Sequence, residues 1–151
     1  LPRLTAFGCI FLLSFSSVHA ADGAYHAAID EARTLVLDKK PNQALQVLKA
    51  HEASHAGEKD FDYSFGVAAL EAGQLGTAVL ALQRLVETYP AFVPARLELG
   101  RALYELGDYN ESKLYFEQVQ ALPGVPANIQ KVVENEVARL ARSPADPEKP
   151  R

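Results

Sequence analysis

The residues best suited to chemistry form the pentad HEASH at positions 51–55. It fits His-Glu-x-x-His, a pattern that on a helix places two imidazoles on one face as zinc ligands and supplies a glutamate as general base. A zinc-dependent peptidase that uses His51, Glu52 and His55 is therefore one hypothesis. It requires a third ligand, for which Glu71 is the candidate, and a position in the middle of a helix.

The surroundings of the pentad favour a different interpretation. The helical spacing predicts that a helix ends at these residues, and Gly57 follows His55 by two positions. Glu71 is expected at the far end of the next helical hairpin's first helix, away from both imidazoles. We therefore expect residues 51–55 to be a solvated helix end, with adventitious surface metal binding as a lesser alternative. No cofactor, metal or catalytic residue is expected.

On the C-terminal side of this pentad, residues of similar type recur at a spacing of 34 positions. Gly66 is followed by Gly100 at that distance, and Leu82 is followed by Phe116. Further pairs at the same spacing are Gly73 and Gly107, Leu75 and Tyr109, and Ala78 and Ser112. A fixed period of this length indicates stacked helical repeats. Such a solenoid is more typical of a binding protein than of an enzyme.

The period divides the chain into segments that each hold two helical patterns and a short break. We predict repeats at 25–58, 59–92 and 93–126, a capping helix at 127–142, and a linker or disordered tail at 143–151. The cap is expected because a solenoid leaves the apolar flank of its last repeat exposed. The predicted fold is all-α, a right-handed solenoid of three helical hairpins with a C-terminal capping helix.

The first 20 residues have the pattern of an export signal. Arg3 supplies a positive charge, residues 6–15 are apolar, and Val18 and Ala20 fit the −3 and −1 positions of a cleavage site after Ala20. The apolar run is shorter than the roughly 20 residues that a membrane-spanning helix needs. We therefore expect a signal peptide at 1–20, a periplasmic mature protein and no transmembrane helix.

Composition and charge exclude other classes of function. Cys9 is the only cysteine and lies in the apolar stretch, so removal of the signal would leave no thiol for a disulfide or for catalysis. Gly8 before it keeps lipid modification of Cys9 open as an alternative. The net charge is −4 and no basic run exceeds two residues, so the footprint of a nucleic-acid-binding protein is absent.

The repeats resemble tetratricopeptide repeats. That family's pattern places a large residue, Leu-Gly, Tyr, Ala, an aromatic residue and Pro across 34 residues. Here the small residues Gly66 and Ala78 in one repeat, and Gly100 and Ser112 in the next, would let the two helices of a hairpin approach closely. The resemblance covers residues 25–126 and implies a non-catalytic protein-interaction module.

A narrower resemblance concerns the stretch from Phe61 to Ala141. It is similar to the periplasmic N-terminal repeat domain of outer-membrane barrel proteins of the surface lipoprotein assembly modifier type. This resemblance implies that the chain is the repeat portion of such a protein. It also implies a role in outer-membrane or surface protein assembly, with an outer-membrane or surface lipoprotein as the client.

In this architecture the first helix of each repeat lines a concave groove. Residues there that hairpin packing does not need are expected to bind a protein or an extended peptide: Arg33, Val36, Tyr63, Val67, Leu70, Leu97, Arg101 and Tyr104. Aromatic residues and two arginines would suit an apolar segment with an acidic or carboxylate group. The alternative for Val67, Leu70 and Leu97 is packing between helices. A structural homo-oligomer that uses the first repeat as its contact is a further alternative.

Some tetratricopeptide domains bind chaperone C-termini through a clamp of Lys, Asn and Arg. The corresponding positions here hold Ile29, Arg33, Ser64, Pro94 and Glu98, of which only Arg33 is basic. The resemblance therefore does not imply that ligand.

Overall fold

The computed structural model describes residues 15–142, in which eight α-helices and no strand are present. Their bounds are α1 Phe15–Leu37, α2 Pro41–Lys49, α3 Glu52–His55, α4 Lys59–Glu71, α5 Leu75–Thr88, α6 Val93–Leu106, α7 Tyr109–Gln120 and α8 Ala127–Leu140. Helices α1 and α2, α4 and α5, and α6 and α7 pack as hairpins, and α8 packs against α7. The predicted all-α solenoid of helical hairpins is confirmed.

Two of the sequence-based expectations fall largely outside the described residues. The apolar stretch of the predicted signal peptide, with Cys9, precedes Phe15, and the predicted tail at 143–151 follows the last described residue. The expected cleavage position after Ala20 lies within α1, which is continuous from Phe15 to Leu37. Within residues 15–142, no helix combines the length and apolar character needed to cross a membrane.

Helix boundaries follow from proline and glycine. Pro41 occupies the first turn of α2 and Pro94 the first turn of α6, where the missing N–H has no intrahelical partner to lose. Gly107 ends α6 with a φ of 94°, a left-handed conformation that costs glycine little. Asp108 then caps α7, because its side chain accepts a hydrogen bond from the Glu111 N–H at 3.4 Å.

Within each of the last two hairpins, a glycine of the first helix lies directly against a large side chain of the second. A Cβ atom on Gly66 would lie 2.6 Å from Cγ of Leu82, and one on Gly100 would lie 2.8 Å from Cε1 of Phe116. Leu82 and Phe116 are both completely buried, so neither can move aside into solvent. The repeated glycines therefore set the separation of the two helices.

A buried ion pair also connects the two helices of the middle hairpin. Asp62 of α4 is completely buried, and Arg84 of α5 donates Nε to Oδ2 at 2.8 Å and Nη2 to Oδ1 at 2.5 Å. The Gly57 N–H also donates to Oδ2, at 3.1 Å. One carboxylate therefore connects α4 to α5 and to the loop that precedes α4.

Helix α8 continues the row of first helices but differs from them at one position. Val133 is completely buried at the place that Leu99 occupies one period earlier. The next residue, Glu134, is exposed and stands where Gly100 stands in α6. A glutamate side chain prevents a second helix from approaching α8 as closely as α7 approaches α6, which suits α8 to closing the stack.

We expect Gly66→Ala to destabilise the protein by about 1–3 kcal/mol, because the added methyl group overpacks against Leu82. The matched control is Gly76→Ala in the first turn of α5, where a Cβ atom meets nothing within 4 Å. That control should be neutral or slightly stabilising, since alanine is the better helix former. Urea unfolding monitored by circular dichroism measures both. Equal losses in the two variants would contradict this assignment.

Candidate functional site

The histidine pentad does not lie in the middle of a helix. Helix α2 ends at Lys49, and Glu52–His55 form a separate single turn, α3. The ring of His55 stacks on the ring of Tyr25, with centroids 3.7 Å apart and planes 2° apart. His55 Nδ1 lies 3.0 Å from Oε1 of Glu58. The His55 side chain is therefore committed to contacts between α3, α1 and the loop after α3.

The geometry gives the peptidase hypothesis no support. Its candidate third ligand, Glu71, accepts a hydrogen bond from Arg101 at 3.3 Å instead. Among residues 15–142, no group of three or more His, Cys, Asp or Glu side chains is placed to hold a metal ion. Tyr25, which stacks on His55, has its pKa raised to about 12, first by burial and then by the charge of Glu58. The phenol therefore stays neutral at physiological pH.

The inner face of the solenoid is formed by the first helices α1, α4 and α6, together with α8. Helix α1 contacts α4, and α4 contacts α6. Arg139 of α8 reaches back to Glu105 of α6. Two clefts lie on this face, one between α1 and α4 and one between α4 and α6.

The first cleft, called here the apolar cleft, has a volume of about 220 Å³. Four of the predicted binding residues, Arg33, Val36, Tyr63 and Val67, meet in it. Its full lining is Ala32, Arg33, Val36, Leu37, Tyr63, Ser64 and Val67. Ser64 is only 6% exposed, and its Oγ has no hydrogen-bond partner among the described residues. The cleft therefore combines apolar walls with one unsatisfied hydroxyl.

Tyr63 is held in place at this cleft by a residue of the loop between α5 and α6. Its ring meets the ring of Phe92 edge to face, with centroids 5.3 Å apart and planes at 77°. Burial raises the pKa of Tyr63, and the negative charge of Glu98 raises it further. The side chain is thus a neutral, preorganised wall of the cleft.

The second cleft, called here the charged cleft, has a volume of about 330 Å³. It brings together two more of the predicted residues, Leu70 and Arg101. Its lining is Leu70, Glu71, Gly73, Leu75, Arg101 and Glu105. Leu70 is 7% exposed and packs in the main core, so most of its surface is already used.

Both predicted arginines are partly compensated by neighbouring carboxylates, and Arg33 is still 48% exposed. Arg101 donates Nη1 to Glu98 Oε2 at 2.7 Å and Nη2 to Glu71 Oε1 at 3.3 Å. Arg33 lies 3.5 Å from Asp30 and 3.7 Å from Asp60. Both guanidinium groups therefore already face two carboxylates of the protein itself.

Arg139 of α8 repeats the arrangement. Its Nη1 donates to Glu136 at 3.3 Å and its Nη2 to Glu105 at 2.5 Å. We call these three groups the arginine triads. In each, one carboxylate precedes the arginine by three residues and the other comes from a different helix. Every triad therefore carries one more negative than positive charge.

The remaining predicted residues are covered by other parts of the protein. Leu97 is 8% exposed and packs in the core cluster that contains Phe116. The guanidinium of Arg139 lies 3.8 Å above the ring of Tyr104, and Tyr109 meets the same ring edge on at 5.2 Å. The structure therefore brings Arg33, Val36, Tyr63 and Val67 to one cleft and leaves Leu97 and Tyr104 outside it.

The sequence reasoning did not assign the carboxylates of the triads to the binding surface, and it named Glu71 only as a possible zinc ligand and Glu98 only at a clamp position. These carboxylates are Asp30, Asp60, Glu71, Glu98, Glu105 and Glu136. A signal was present for half of them, because an acidic residue stands three positions before Arg33, Arg101 and Arg139. On a helix that spacing places the two side chains side by side.

Comparisons with known proteins agree with the helical repeat fold described above. The tetratricopeptide repeat family model matches residues 69–130, the part that contains α5, α6 and α7. An NMR structure of the second TPR domain of the human RPAP3 protein, in complex with the HSP70 peptide SGPTIEEVD, aligns with a TM-score of 0.68 and 16% sequence identity. The alignment covers 81% of this chain and 98% of that chain. No curated protein matches the sequence. The fold is that of a tetratricopeptide repeat domain.

Glu98 provides a pH-dependent test of this site. Burial raises its pKa above the ordinary value, although Arg101 opposes the shift. A carboxyl whose pKa is raised by folding contributes stability below its unfolded pKa and loses that contribution as the pH rises through its folded pKa. We therefore expect the free energy of unfolding of Glu98→Gln, relative to that of wild type, to be higher at pH 7 than at pH 4. Urea unfolding at both pH values measures the difference, and a constant or declining difference would contradict it.

Proposed function

We propose that this chain is an exported protein-interaction module that binds an extended segment of another protein along its inner face. The observation that carries the proposal is the apolar cleft between α1 and α4. An apolar cleft of about 220 Å³ with an unsatisfied buried hydroxyl has the composition of a binding site. The tetratricopeptide fold supports the general class, since the RPAP3 domain was determined with a peptide bound.

The cellular setting is the second part of the proposal. The export pattern at 1–20 supports a periplasmic location. The resemblance of residues 61–141 to the repeat domain of surface lipoprotein assembly modifiers supports a role in outer-membrane or surface protein assembly. The partner would then be an outer-membrane or surface protein that is still extended enough to lie in a groove.

Export predicts a defined mature protein. Expressed in a bacterium with two membranes, the full chain should be recovered in the periplasm with Ala21 as its first residue. The double variant Leu12→Arg, Leu13→Arg should stay unprocessed, because charges in the apolar stretch prevent its recognition as a signal. N-terminal sequencing of fractionated cells measures both. An unprocessed wild-type chain in the cytoplasm would contradict the proposal.

Binding at the inner face predicts position-dependent crosslinking. A photoreactive amino acid at Val36 should give adducts with partner protein in cells, because this residue lines the apolar cleft. Val67→Arg in the same cleft should abolish these adducts by placing a charge against the partner's apolar side chain. The control position is Leu80, which is 69% exposed on α5, outside the cleft.

Crosslinking from the control position Leu80 shows which results would contradict the proposal. Adducts from Leu80 should be few and should not respond to Val67→Arg. If Leu80 crosslinks as well as Val36 does, or if Val67→Arg leaves the Val36 adducts unchanged while the protein stays folded, the inner face is not the binding surface. Circular dichroism of the purified variant establishes that it is folded.

A further inference from the structure

The charges of the inner face are not those that an acidic partner needs. The three arginine triads hold six carboxylates against three guanidinium groups. Each guanidinium already interacts with two carboxylates, so a partner carboxylate would have to enter beside two like charges. An incoming cation meets the opposite situation, because every triad has one carboxylate charge in excess.

The excess charge is best enclosed at the charged cleft, because the carboxylates of the first triad, Asp30 and Asp60, are 79% and 68% exposed to solvent. The side chains of Glu71 and Glu105 are 33% and 49% exposed, and both line this cleft. The other carboxylates of these two triads, Glu98 and Glu136, are only 19% and 18% exposed. Arg101 pairs with Glu71 and Arg139 with Glu105, so a cation that enters the charged cleft meets the four carboxylates of these two triads against two guanidinium groups. Complementary charge of this kind favours the right partner and disfavours a like-charged one.

The apolar cleft next to it is suited to one apolar side chain. A cavity of about 150 Å³ accepts a benzene molecule, so a cleft of about 220 Å³ has room for a leucine or an aromatic side chain. The buried Ser64 hydroxyl lacks a partner among the described residues and lines the same cleft. It can bond the backbone of an occupant after a change of rotamer.

The distance between the clefts sets the spacing of the two side chains. Val67 lines the apolar cleft and Glu71 the charged cleft, and they stand one turn apart on α4. Four residues advance about 6 Å along a helix, and the two clefts also lie on opposite sides of α4, one toward α1 and one toward α6. Because packed helix axes are about 8–10 Å apart, the clefts are about 11 Å apart. In an extended peptide, side chains on the same side are about 7 Å apart at two residues and about 13 Å apart at four residues, so a four-residue spacing reaches both clefts.

We infer that the segment bound on the inner face carries an apolar residue in the apolar cleft and a lysine or arginine four positions away, in the charged cleft. This inference rests on the proposed function and identifies the chemistry of the partner. It replaces the expectation of an acidic partner drawn from Arg33 and Arg101. It also separates this domain from its structural neighbour, whose peptide SGPTIEEVD is acidic.

Blocked, fluorescently labelled peptides test the inference with the full chain. The first probe has a central leucine with a lysine four positions away on each side, so that chain direction does not matter. The second replaces both lysines with glutamates, and the third moves the lysines next to the leucine without changing composition. By fluorescence anisotropy at low salt, the first probe should bind about tenfold or more tighter than the second, and tighter than the third. Its affinity should fall as salt is added.

Two variants test whether the lysine of the first probe binds in the charged cleft. The double variant Glu71→Gln, Glu105→Gln should weaken the first probe about fivefold or more, and should leave a glutamine-substituted probe nearly unaffected. Glu134→Gln, on the exposed side of α8, is the matched control and should bind all probes as wild type does. Unchanged unfolding in urea shows that the double variant retains its fold.

Several outcomes overturn the inference. They are equal or tighter binding of the glutamate probe, equal binding of the shifted probe, no effect of the double variant, and no binding of any probe. If the glutamate probe binds and Val67→Arg abolishes that binding, the inner face is still the binding surface and only the partner chemistry is wrong. Failure of the proposed function would appear separately, in the crosslinking from Val36.

Discussion

The contact between a glycine on one helix and a large side chain on the next is the constraint on which the other features depend. Gly66 admits Leu82, and Gly100 admits Phe116, at distances that no Cβ atom would allow. These contacts fix how deeply the second helix of each hairpin seats against the first. In a solenoid each repeat is positioned only by its neighbours. The clefts between first helices therefore depend on contacts made on the opposite side of the same helices.

The ion pair of the middle hairpin makes one repeat different from the others. Asp62 pairs with Arg84, whereas the positions one period earlier hold Ala28 and Ala50. If α4 paired with the second helix of the first repeat, Asp62 would face Ala50 and its carboxylate would be buried without a guanidinium. Burying an unpaired charge costs several kcal/mol, on the order of 3–5. The pair therefore disfavours mispairing between helices that otherwise resemble one another.

The sequence predicted the hairpins well because their determinants are local and periodic. Glycine and proline mark the helix boundaries, and the 34-residue spacing repeats the packing contact itself. The site was less predictable because its contacts join different helices. Arg101 reaches Glu71, 30 residues earlier, a separation that does not match the period. Leu70 and Leu97 were assigned to the groove by their position in the repeat, yet neighbouring helices bury both. Tyr104 is covered by Arg139, which belongs to a helix whose docking no local pattern specifies.

The triads also explain why counting arginines misjudges this kind of surface. A guanidinium on a groove suggests an anionic partner only when its own protein leaves it uncompensated. Here Asp30, Glu98 and Glu136 each precede an arginine by one helical turn and compensate it before any partner arrives. The second carboxylate of each triad comes from another helix, so it is present only in the folded solenoid. Folding therefore adds a second carboxylate to each arginine that its own helix has already compensated, and the three triads together carry an excess of negative charge.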